Sequence, residues 1–210
     1  MSLQELREKN IERVTEEALN CFIENGVERS KISDIARRAG LTERSVFRYF
    51  PNKTELLVAA SFLYWHRALD VTGKMLERVR KPGMTGIEEI EIILKSYCEL
   101  VFTDPQGIRF SLDAEVALFN AGKNHAVINR PPEKFEVGSG PMAKAVKRGM
   151  KDGTLDKTRD LKQLYYNSYD AILGVMQRMT VDVPSVNEVD GRKRLMQLCD
   201  MFVYEFSAKK

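Results

Sequence analysis

Hydrophobic positions recur three and four residues apart along most of the chain, and this spacing predicts helices. Such runs include Ile11–Val14–Ala18–Cys21–Phe22, Ile87–Ile90–Leu94–Tyr97–Val101, Leu161–Leu164–Tyr165–Ser168–Ile172–Val175–Met179 and Leu195–Leu198–Cys199–Phe202–Phe206. The sequence contains no convincing alternating strand pattern, since the fragment Met179–Val183 is short and meets Pro184. The predicted fold class is therefore all-α.

Glycine and proline positions divide the helices into two size classes. The pieces between Gly26 and Pro51 are very short, and the pieces after Pro51 are long. We therefore expect a compact three-helix module over residues 1–52 and a larger helical bundle over residues 53–210. Within the bundle, Pro131 or Pro132 is expected to open a short helix, and Pro141 to open another that Gly153 closes.

The segment "SKISDIARRAGLTERSVFRYF" predicts a helix-turn-helix. Gly40 ends the first helix after about two turns, and Thr42 has the short side-chain oxygen of an N-cap residue. In the second helix Val46 and Phe50 lie four residues apart and are expected to point inward. Two short helices joined by a glycine turn, the second with donors on its outer side, are typical of DNA-binding proteins.

Positive charge is concentrated in the same region. Residues 29–53 contain seven basic and two acidic residues, a net charge of +5, whereas the other 185 residues together carry −2. A local cationic surface is what binding to a phosphate backbone requires. Asn52 is expected to cap the next helix with Glu55 reaching back, and Lys53 would then lie at a helix N-terminus that favours anions.

The remaining composition argues against several other classes of protein. The chain has 210 residues, 43% hydrophobic and 30% charged, which suits an ordinary globular protein. Its three scattered cysteines suggest neither a disulfide framework nor a cysteine zinc site. The start lacks a signal peptide, and the most apolar run is too short to cross a bilayer, so we expect a cytoplasmic protein with no membrane partner. His66 and His125 lie in unrelated segments and carry no motif, so we expect no metal, no cofactor and no enzyme.

The stretch "ISDIARRAGLTERSVFRYFPNKTELL" resembles the DNA-binding signature of TetR-type transcriptional regulators. The matching positions are Ile35-Ala36, Ala39-Gly40, Val46-Phe47, Tyr49-Phe50 and Lys53 through Leu56-Leu57. The chain departs from the pattern at three positions. Lys31 stands where the family commonly has a capping threonine, so Ser30 is expected to supply the cap, and Ser45 replaces a common threonine. Arg48 stands where aromatic residues are common, which should alter the operator that is read.

The outer side of the second short helix is expected to contact DNA. Arg44 and Ser45 stand at the end of the helix that reaches base edges, and arginine suits bidentate contact with guanine. Arg48 is one turn further on, and Phe47 either touches a thymine methyl group or packs against the first helix. Arg37 and Arg38 are interpreted as a solvated face that adds to the field. The predicted DNA contacts are Lys31, Ser33, Thr42, Arg44, Ser45, Phe47, Arg48, Tyr49 and Lys53.

Aromatic residues after position 60 are spread over several helices. Core packing explains most of them, but a cavity between helices is also a natural ligand site. The TetR resemblance implies such a pocket for a small-molecule effector. The residues predicted to bind it are Trp65, Tyr97, Phe110, Phe119 and Tyr169.

The last two predicted helices are expected to form a homodimer. Each has apolar groups on more than one face, and Gly174 would let another helix come close; the alternative is burial within one subunit. A dimer reads two half-sites, whereas a helix-turn-helix monomer binds one only weakly. The predicted interface residues are Ile172, Gly174, Val175, Met179, Leu195, Leu198 and Phe202.

These observations predict a sequence-specific regulator of transcription, a repressor that a small apolar or amphipathic effector releases from a double-stranded DNA operator. Two other classes stay open at this point. A constitutive DNA-binding protein would lack the effector, and a helical enzyme would use the aromatic pocket for turnover.

Overall fold

The computed structural model describes residues 2–123, 140–181 and 190–208. It confirms the all-α fold class. In these ranges the helices are α1 (Leu3–Asn25), α2 (Ile32–Arg38), α3 (Glu43–Tyr49), α4 (Lys53–Val79), α5 (Gly86–Thr103), α6 (Pro105–Asn120), α7 (Pro141–Asp152), α8 (Leu161–Thr180) and α9 (Gly191–Phe206). The extended pairing seen in the described part of the chain is a single bridge between Leu155 and Ser207.

Local sequence signals set the ends of the first helices. Ser2 and Glu5 form a capping box at the start of α1, and Gly26, with φ of 82°, ends that helix. Gly40, with φ of 65°, ends α2. There the Leu41 N–H donates to the Ala36 carbonyl at 2.9 Å, and the Gly40 N–H donates to that of Arg37 at 3.1 Å, which together form a Schellman motif.

Two expected caps differ from the structure. The N-cap of α2 is Lys31, without a side-chain capping bond. Ser30 does not supply this cap, because its buried hydroxyl donates to the carbonyls of Cys21 at 2.9 Å and Gly26 at 2.8 Å. At α4 the Asn52 oxygen accepts from the Glu55 N–H at 2.9 Å as predicted, but the Glu55 carboxylate accepts from Lys123 at 2.6 Å instead of reaching back.

The chain divides into two compact units, and the boundaries between them fall within α4 and α6. The first unit is Met1–Arg67 with Arg109–Asn129, and the second is Ala68–Ile108 with Arg130–Lys210. These units describe packing, so the expected functional division between residues 52 and 53 stays a prediction.

The first unit is built around the short helices. Its core combines apolar side chains of α1, α2, α3 and the start of α4 with an aromatic contact to α6, where the Phe22 and Phe110 rings stack 6.3 Å apart. The fully buried residues of this core include Val14, Ala18, Phe22, Ile35, Val46, Leu56 and Ala60.

The second unit packs α5 against α7, α8 and α9. Helices α5 and α7 approach so closely that a Cβ on Gly86 would lie 2.1 Å from the Gly149 backbone nitrogen. Asp152 accepts the Gly86 N–H at 2.8 Å at the same crossing. Pro141 opens α7 and Gly153 closes it with φ of 77°, as the sequence predicted.

One carboxylate lies deep in this unit. Glu89 is 1% exposed, and its Oε1 accepts from Arg80 at 2.7 Å and lies 3.2 Å from Arg148. These two arginines, from the segment after α4 and from α7, pair with the buried charge, which would otherwise be costly in the interior.

Several sequence predictions concern residues outside this description. The helix expected at Pro131 or Pro132, and His125, lie outside the described residues. His66 is exposed on α4. Among the described helices, none combines the length and the apolar character that a membrane span requires.

Candidate nucleic-acid interface

Helix α3 is held from its inner side and its first turn. Val46 is completely buried, and the Thr42 oxygen accepts the Ser45 N–H at 3.2 Å as the predicted N-cap. The Ser45 hydroxyl lies 3.0 Å from the Thr42 hydroxyl, so Ser45 is part of the cap as well. Phe50 is half-buried, so the inward side of α3 rests mainly on Val46.

The outer side of α3 presents cations and one aromatic ring. Arg44 and Arg48 are exposed and lie one turn apart on the same face. Over residues 2–123, 140–181 and 190–208, neither arginine has a carboxylate within ion-pair distance. Phe47 lies between Arg44 and Arg48 in the sequence and is 45% exposed. This exposure favours contact with a ligand over packing against α2. This surface can donate to phosphates or base edges without first breaking an internal ion pair.

Tyr49 joins α3 to the first helix. Its hydroxyl oxygen accepts from the Asn10 amide at 3.3 Å and from the Arg48 guanidinium at 3.1 Å. The guanidinium carbons of Arg48 and Arg7 lie 5.2 and 6.0 Å from the ring centre, within cation–π range. The bond from Arg48 is the largest influence that lowers the pKa of Tyr49 below its ordinary value.

The sequence reasoning missed the part of α1 that belongs to this cluster. Arg13 donates to the Asn10 oxygen at 2.9 Å, which orients the Asn10 amide toward Tyr49. Arg7, Asn10 and Arg13 are spaced three residues apart, so they form a polar stripe on one side of α1. That stripe was the available signal. We name Arg7, Asn10, Arg13, Arg48 and Tyr49 the tyrosine cluster.

The two arginines of α2 differ from those of α3. Arg38 makes a bidentate pair with Glu24 at 2.8 and 2.9 Å, and its Nε lies 3.5 Å from Glu17. This pairing lowers the pKa of Glu24, and Glu24 is the largest influence that raises the pKa of Arg38. Arg37 pairs with Asp34 at 2.5 Å. The interpretation of both as a solvated face needs correction for Arg38, which ties α2 to α1.

The remaining predicted DNA contacts lie at helix starts. Lys31 and Ser33 are exposed at the first turn of α2. Lys53 is the first residue of α4, and its ammonium group donates to the Glu28 carbonyl at 3.1 Å. Partial burial lowers the pKa of Lys53. The roles of all three residues in DNA binding stay predictions.

The residues predicted to bind an effector are divided between the two units. Trp65 and Phe110 are buried in the first unit, each in a T-shaped ring contact with Tyr64, whereas Phe119 in that unit is 73% exposed. In the second unit Tyr97 and Tyr169 are buried with ring centres 6.0 Å apart. Burial raises the pKa of Tyr97 to about 12, so it remains a neutral hydroxyl at neutral pH.

A cavity of about 510 Å³ lies in the second unit, between the end of α4, α5 and α9. Its lining is mainly apolar, with charged groups among the side chains. The lining residues are Met75, Arg78, Val79, Glu91, Ile92, Lys95, Ser96, Glu99 and Met196. None of the residues that the sequence predicted for an effector is in this set. Met75 and Val79 lie four residues apart, a spacing that also occurs in core helices, so the signal was too weak to single them out.

The predicted dimer residues on α8 and α9 fall into two groups. Ile172 and Leu195 are at most 1% exposed within the single chain, so they belong to its own core. Gly174 is exposed, and a Cβ placed on it would meet no atom within 4 Å. The others, Val175, Met179, Leu198 and Phe202, are half-buried.

The short helix α2, the turn at Gly40 and the capped helix α3 with its exposed cations form a helix-turn-helix, an arrangement typical of DNA-binding proteins. Residues 14–60 match the family model described as bacterial regulatory proteins, tetR family. This match confirms, for this region of the chain, the resemblance noted in its sequence.

Two curated relatives are similar to the chain over part of its length. The fatty acid metabolism regulator protein of Bacillus subtilis (strain 168) is 24% identical over 92 residues, which cover 44% of this chain and 45% of that protein. The HTH-type transcriptional repressor KstR of Rhodococcus jostii (strain RHA1) is 29% identical over 93 residues, covering 44% of this chain and 41% of that protein. The matched part thus spans less than half the length of either relative. Both are named as regulators.

The likeness of the fold extends further. A TetR family transcription regulator from Marinobacter aquaeolei VT8 superposes with a TM-score of 0.64 at 15% identity, covering 99% of this chain and 100% of that chain. At this identity the superposition shows a shared fold.

Proposed function

We propose that the protein is a homodimeric, sequence-specific DNA-binding regulator of transcription, acting as a repressor in the bacterial cytoplasm. The observation that carries this proposal is the exposed pair Arg44 and Arg48 on α3. Both are unpaired with acids in the described structure, while Thr42 and Val46 fix the helix beneath them. A helix of this kind inserts its side chains into the major groove.

The tyrosine cluster supports a specific role for Tyr49 at the phosphate backbone. Its oxygen already accepts two hydrogen bonds, from Asn10 and Arg48, so its own O–H proton remains to be donated. We propose that the Tyr49 O–H donates a hydrogen bond to a phosphate while Arg7 and Arg48 supply positive charge close to the ring. Phosphate contacts of this kind fix the register of the protein on DNA, and base contacts by Arg44 then specify sequence.

The cavity in the second unit supports an effector of amphipathic character. Its volume of about 510 Å³ falls within the range of small-molecule sites. Met75, Val79, Ile92 and Met196 suit an apolar chain or ring, while Arg78 suits an anionic end. Lys95 already pairs with Glu91 at 2.6 Å. The name of the Bacillus subtilis relative, a regulator of fatty acid metabolism, is consistent with such an effector. Effector binding that favours a conformation unsuited to DNA would weaken DNA binding, and DNA binding would weaken effector binding by the same coupling free energy.

Fluorescence polarisation with the DNA upstream of the protein's own gene tests DNA recognition. At fixed salt we expect that fragment to bind at least about 10³-fold more tightly than a shuffled fragment of equal length and composition. Equal affinity for both fragments would reduce the proposal to non-specific cation binding. Retained specificity with no response to any small molecule would indicate a constitutive DNA-binding protein.

Thermal-shift titrations with alkyl carboxylates and the matching alcohols test the effector site. We expect the carboxylates to raise the melting temperature and to lower DNA affinity. Ile92→Asp places a charge in the apolar lining and should abolish both effects, whereas Val71→Asp, at an exposed apolar position outside the lining, should preserve them. Equal responses from the two variants would exclude this cavity as the effector site.

A further inference from the structure

Two of the three cysteines meet in the interior of the second unit. Cys98 lies on α5 and Cys199 on α9, 101 positions apart in sequence, and their sulfur atoms are 3.1 Å apart. Both side chains are fully buried, at 0% exposure. Cys21 lies in the first unit, and its sulfur lies 3.1 Å from Arg38.

The arrangement is more specific than ordinary packing of two small side chains. One thiol donates to the other, and the Cys98 sulfur also lies 3.9 Å from the Leu195 carbonyl, one turn before Cys199. The two sulfurs would have to approach by only about 1 Å to reach bonding distance. Helices α5 and α9 are already packed together, which keeps the two cysteines next to each other.

We propose that Cys98 and Cys199 form a reversible intramolecular disulfide, which joins α5 covalently to α9, when the protein is exposed to hydrogen peroxide. This inference concerns the second unit alone and does not depend on the proposed DNA-binding function.

The chemistry balances in two steps with peroxide as the two-electron oxidant. The thiolate of one cysteine attacks a peroxide oxygen, the O–O bond breaks, and with one proton taken up the products are a sulfenic acid and water. The second sulfur then attacks the sulfenic sulfur, forms the S–S bond, and releases the sulfenic oxygen as a second water. A thiol reductant reverses the reaction by disulfide exchange.

The same geometry sets a slow rate for the first step and a fast rate for the second. The hydrogen bond to Cys199, followed by burial, raises the pKa of the Cys98 thiol, so little of its reactive thiolate exists at neutral pH. Once either sulfur is oxidised, its partner is already at contact distance and captures it before further oxidation. The pair would therefore respond to prolonged exposure and not to brief pulses.

A disulfide between α5 and α9 should measurably stabilise the folded protein. The bond would close a long loop of the unfolded chain, and long loops give large stabilisation in the chain-entropy account. We expect the melting temperature of the oxidised protein to rise by about 5 °C or more.

The test uses the whole chain, purified with reductant, desalted and incubated with excess peroxide for hours under non-denaturing conditions. Alkylation under denaturing conditions followed by mass spectrometry then counts the remaining thiols. We expect one alkylated cysteine, at Cys21, and a peptide that links Cys98 to Cys199 and disappears with dithiothreitol. The monomer should remain a monomer on a denaturing, non-reducing gel.

Single variants sharpen the result. Cys98→Ala and Cys199→Ala should each remove the linked peptide and the rise in melting temperature, whereas Cys21→Ala should retain both. Three alkylated cysteines after prolonged exposure of the folded wild-type protein would overturn the proposal, whether or not the variants fold. Irreversible sulfinic acid at Cys98 or Cys199, or links only between chains, would overturn it equally.

Discussion

Helices α2 and α3 are each seven residues long and each contains two arginines, yet the ion-pair partners of these arginines differ. The arginines of α2 are paired with acids of the same chain at the surface, Arg37 with Asp34 on the same helix and Arg38 with Glu24 on α1. Arg44 and Arg48 on α3 have no such acidic partner among the described residues. The comparison teaches that a cluster of basic residues in the sequence can contain both cations that pair with acids of the same chain and exposed cations without such a partner.

The difference also changes the interpretation of the local net charge. The +5 counted over residues 29–53 includes Arg38, whose partners Glu17 and Glu24 lie outside that window. If the proposed interface is correct, the positive field at DNA should therefore come mainly from α3, Lys31 and the start of α1. Five variants test this division, and they follow in order of decreasing effect on DNA affinity.

The double variant Arg44→Ala/Arg48→Ala should have the largest effect. Removing both exposed cations of α3 should cost at least ~2 kcal/mol of operator binding free energy, since one base-contacting arginine contributes ~1–3 kcal/mol. Fluorescence polarisation at fixed salt measures the loss. Arg37→Ala/Arg38→Ala removes the same number of charges from α2 and is the matched control; an equal loss in both would erase the contrast between the helices.

Arg44→Ala alone should cost ~1–3 kcal/mol at the operator and relax the base preference at one position of each half-site. Arg44 is exposed at the amino-terminal end of α3, so the change should leave the melting temperature nearly unchanged. Selection from a randomised operator library reports the preference. Unchanged base preference in the Arg44→Ala variant would indicate that Arg44 contacts the DNA backbone and not a base edge.

Lys53→Ala should weaken all DNA sequences alike and reduce the salt dependence of binding by about one released counterion. Because burial lowers the pKa of Lys53, its charge should be lost at a lower pH than that of an exposed lysine. Raising the pH toward the ordinary lysine pKa should therefore weaken the wild-type protein more than Lys53→Ala. A wild-type salt slope in the variant would show that Lys53 only holds the Glu28 carbonyl.

Tyr49→Phe removes the hydroxyl and retains the ring under Arg7 and Arg48. We expect a loss of about 0.5–1.5 kcal/mol in operator binding, the usual contribution of one hydrogen bond. Asn10→Ala tests the support of this hydroxyl from α1 and should reproduce part of the loss. If Asn10→Ala has no effect on binding, the tyrosine cluster is a structural joint and not part of the interface.

Arg38→Ala should have the smallest effect on DNA, no more than about twofold in affinity. Its bidentate partner Glu24 would lose its countercharge, so the melting temperature should fall slightly, less so in high salt. Circular dichroism melts at low and high salt measure the stability contribution of the Arg38–Glu24 ion pair separately from any effect on DNA affinity. A large loss of DNA affinity with an unchanged melting temperature would place Arg38 at the interface.

Sequence reasoning succeeded where the signals are local. Gly40 and Thr42 determine where α2 ends and α3 begins through bonds to residues at most five positions away, so both were predictable. Partners from other helices were not. The pairing of Arg38 with Glu24 spans 14 positions, and that of Tyr49 with Asn10 spans 39 positions. Neither pair has a periodic pattern that predicts it.

Aromatic content was a poor guide to the cavity for a related reason. Large rings such as Trp65 and Tyr97 fill the interior and are buried there, at 2% and 3% exposure. The described cavity is instead bordered by methionine, isoleucine and valine beside charged side chains. Residue type alone cannot separate a wall of a cavity from a filled core, because both are apolar; their relative placement decides.

The glycine crossing of α5 and α7 has a consequence for how the second unit can change shape. At Gly86 and Gly149 the two helix backbones are in direct contact, and the Asp152 carboxylate accepts the Gly86 N–H. No side chains separate the helices at this crossing, so they cannot easily slide past each other there. In any change of shape of the second unit, α5 and α7 should therefore move together as one rigid pair, and bending should occur in the neighbouring helices.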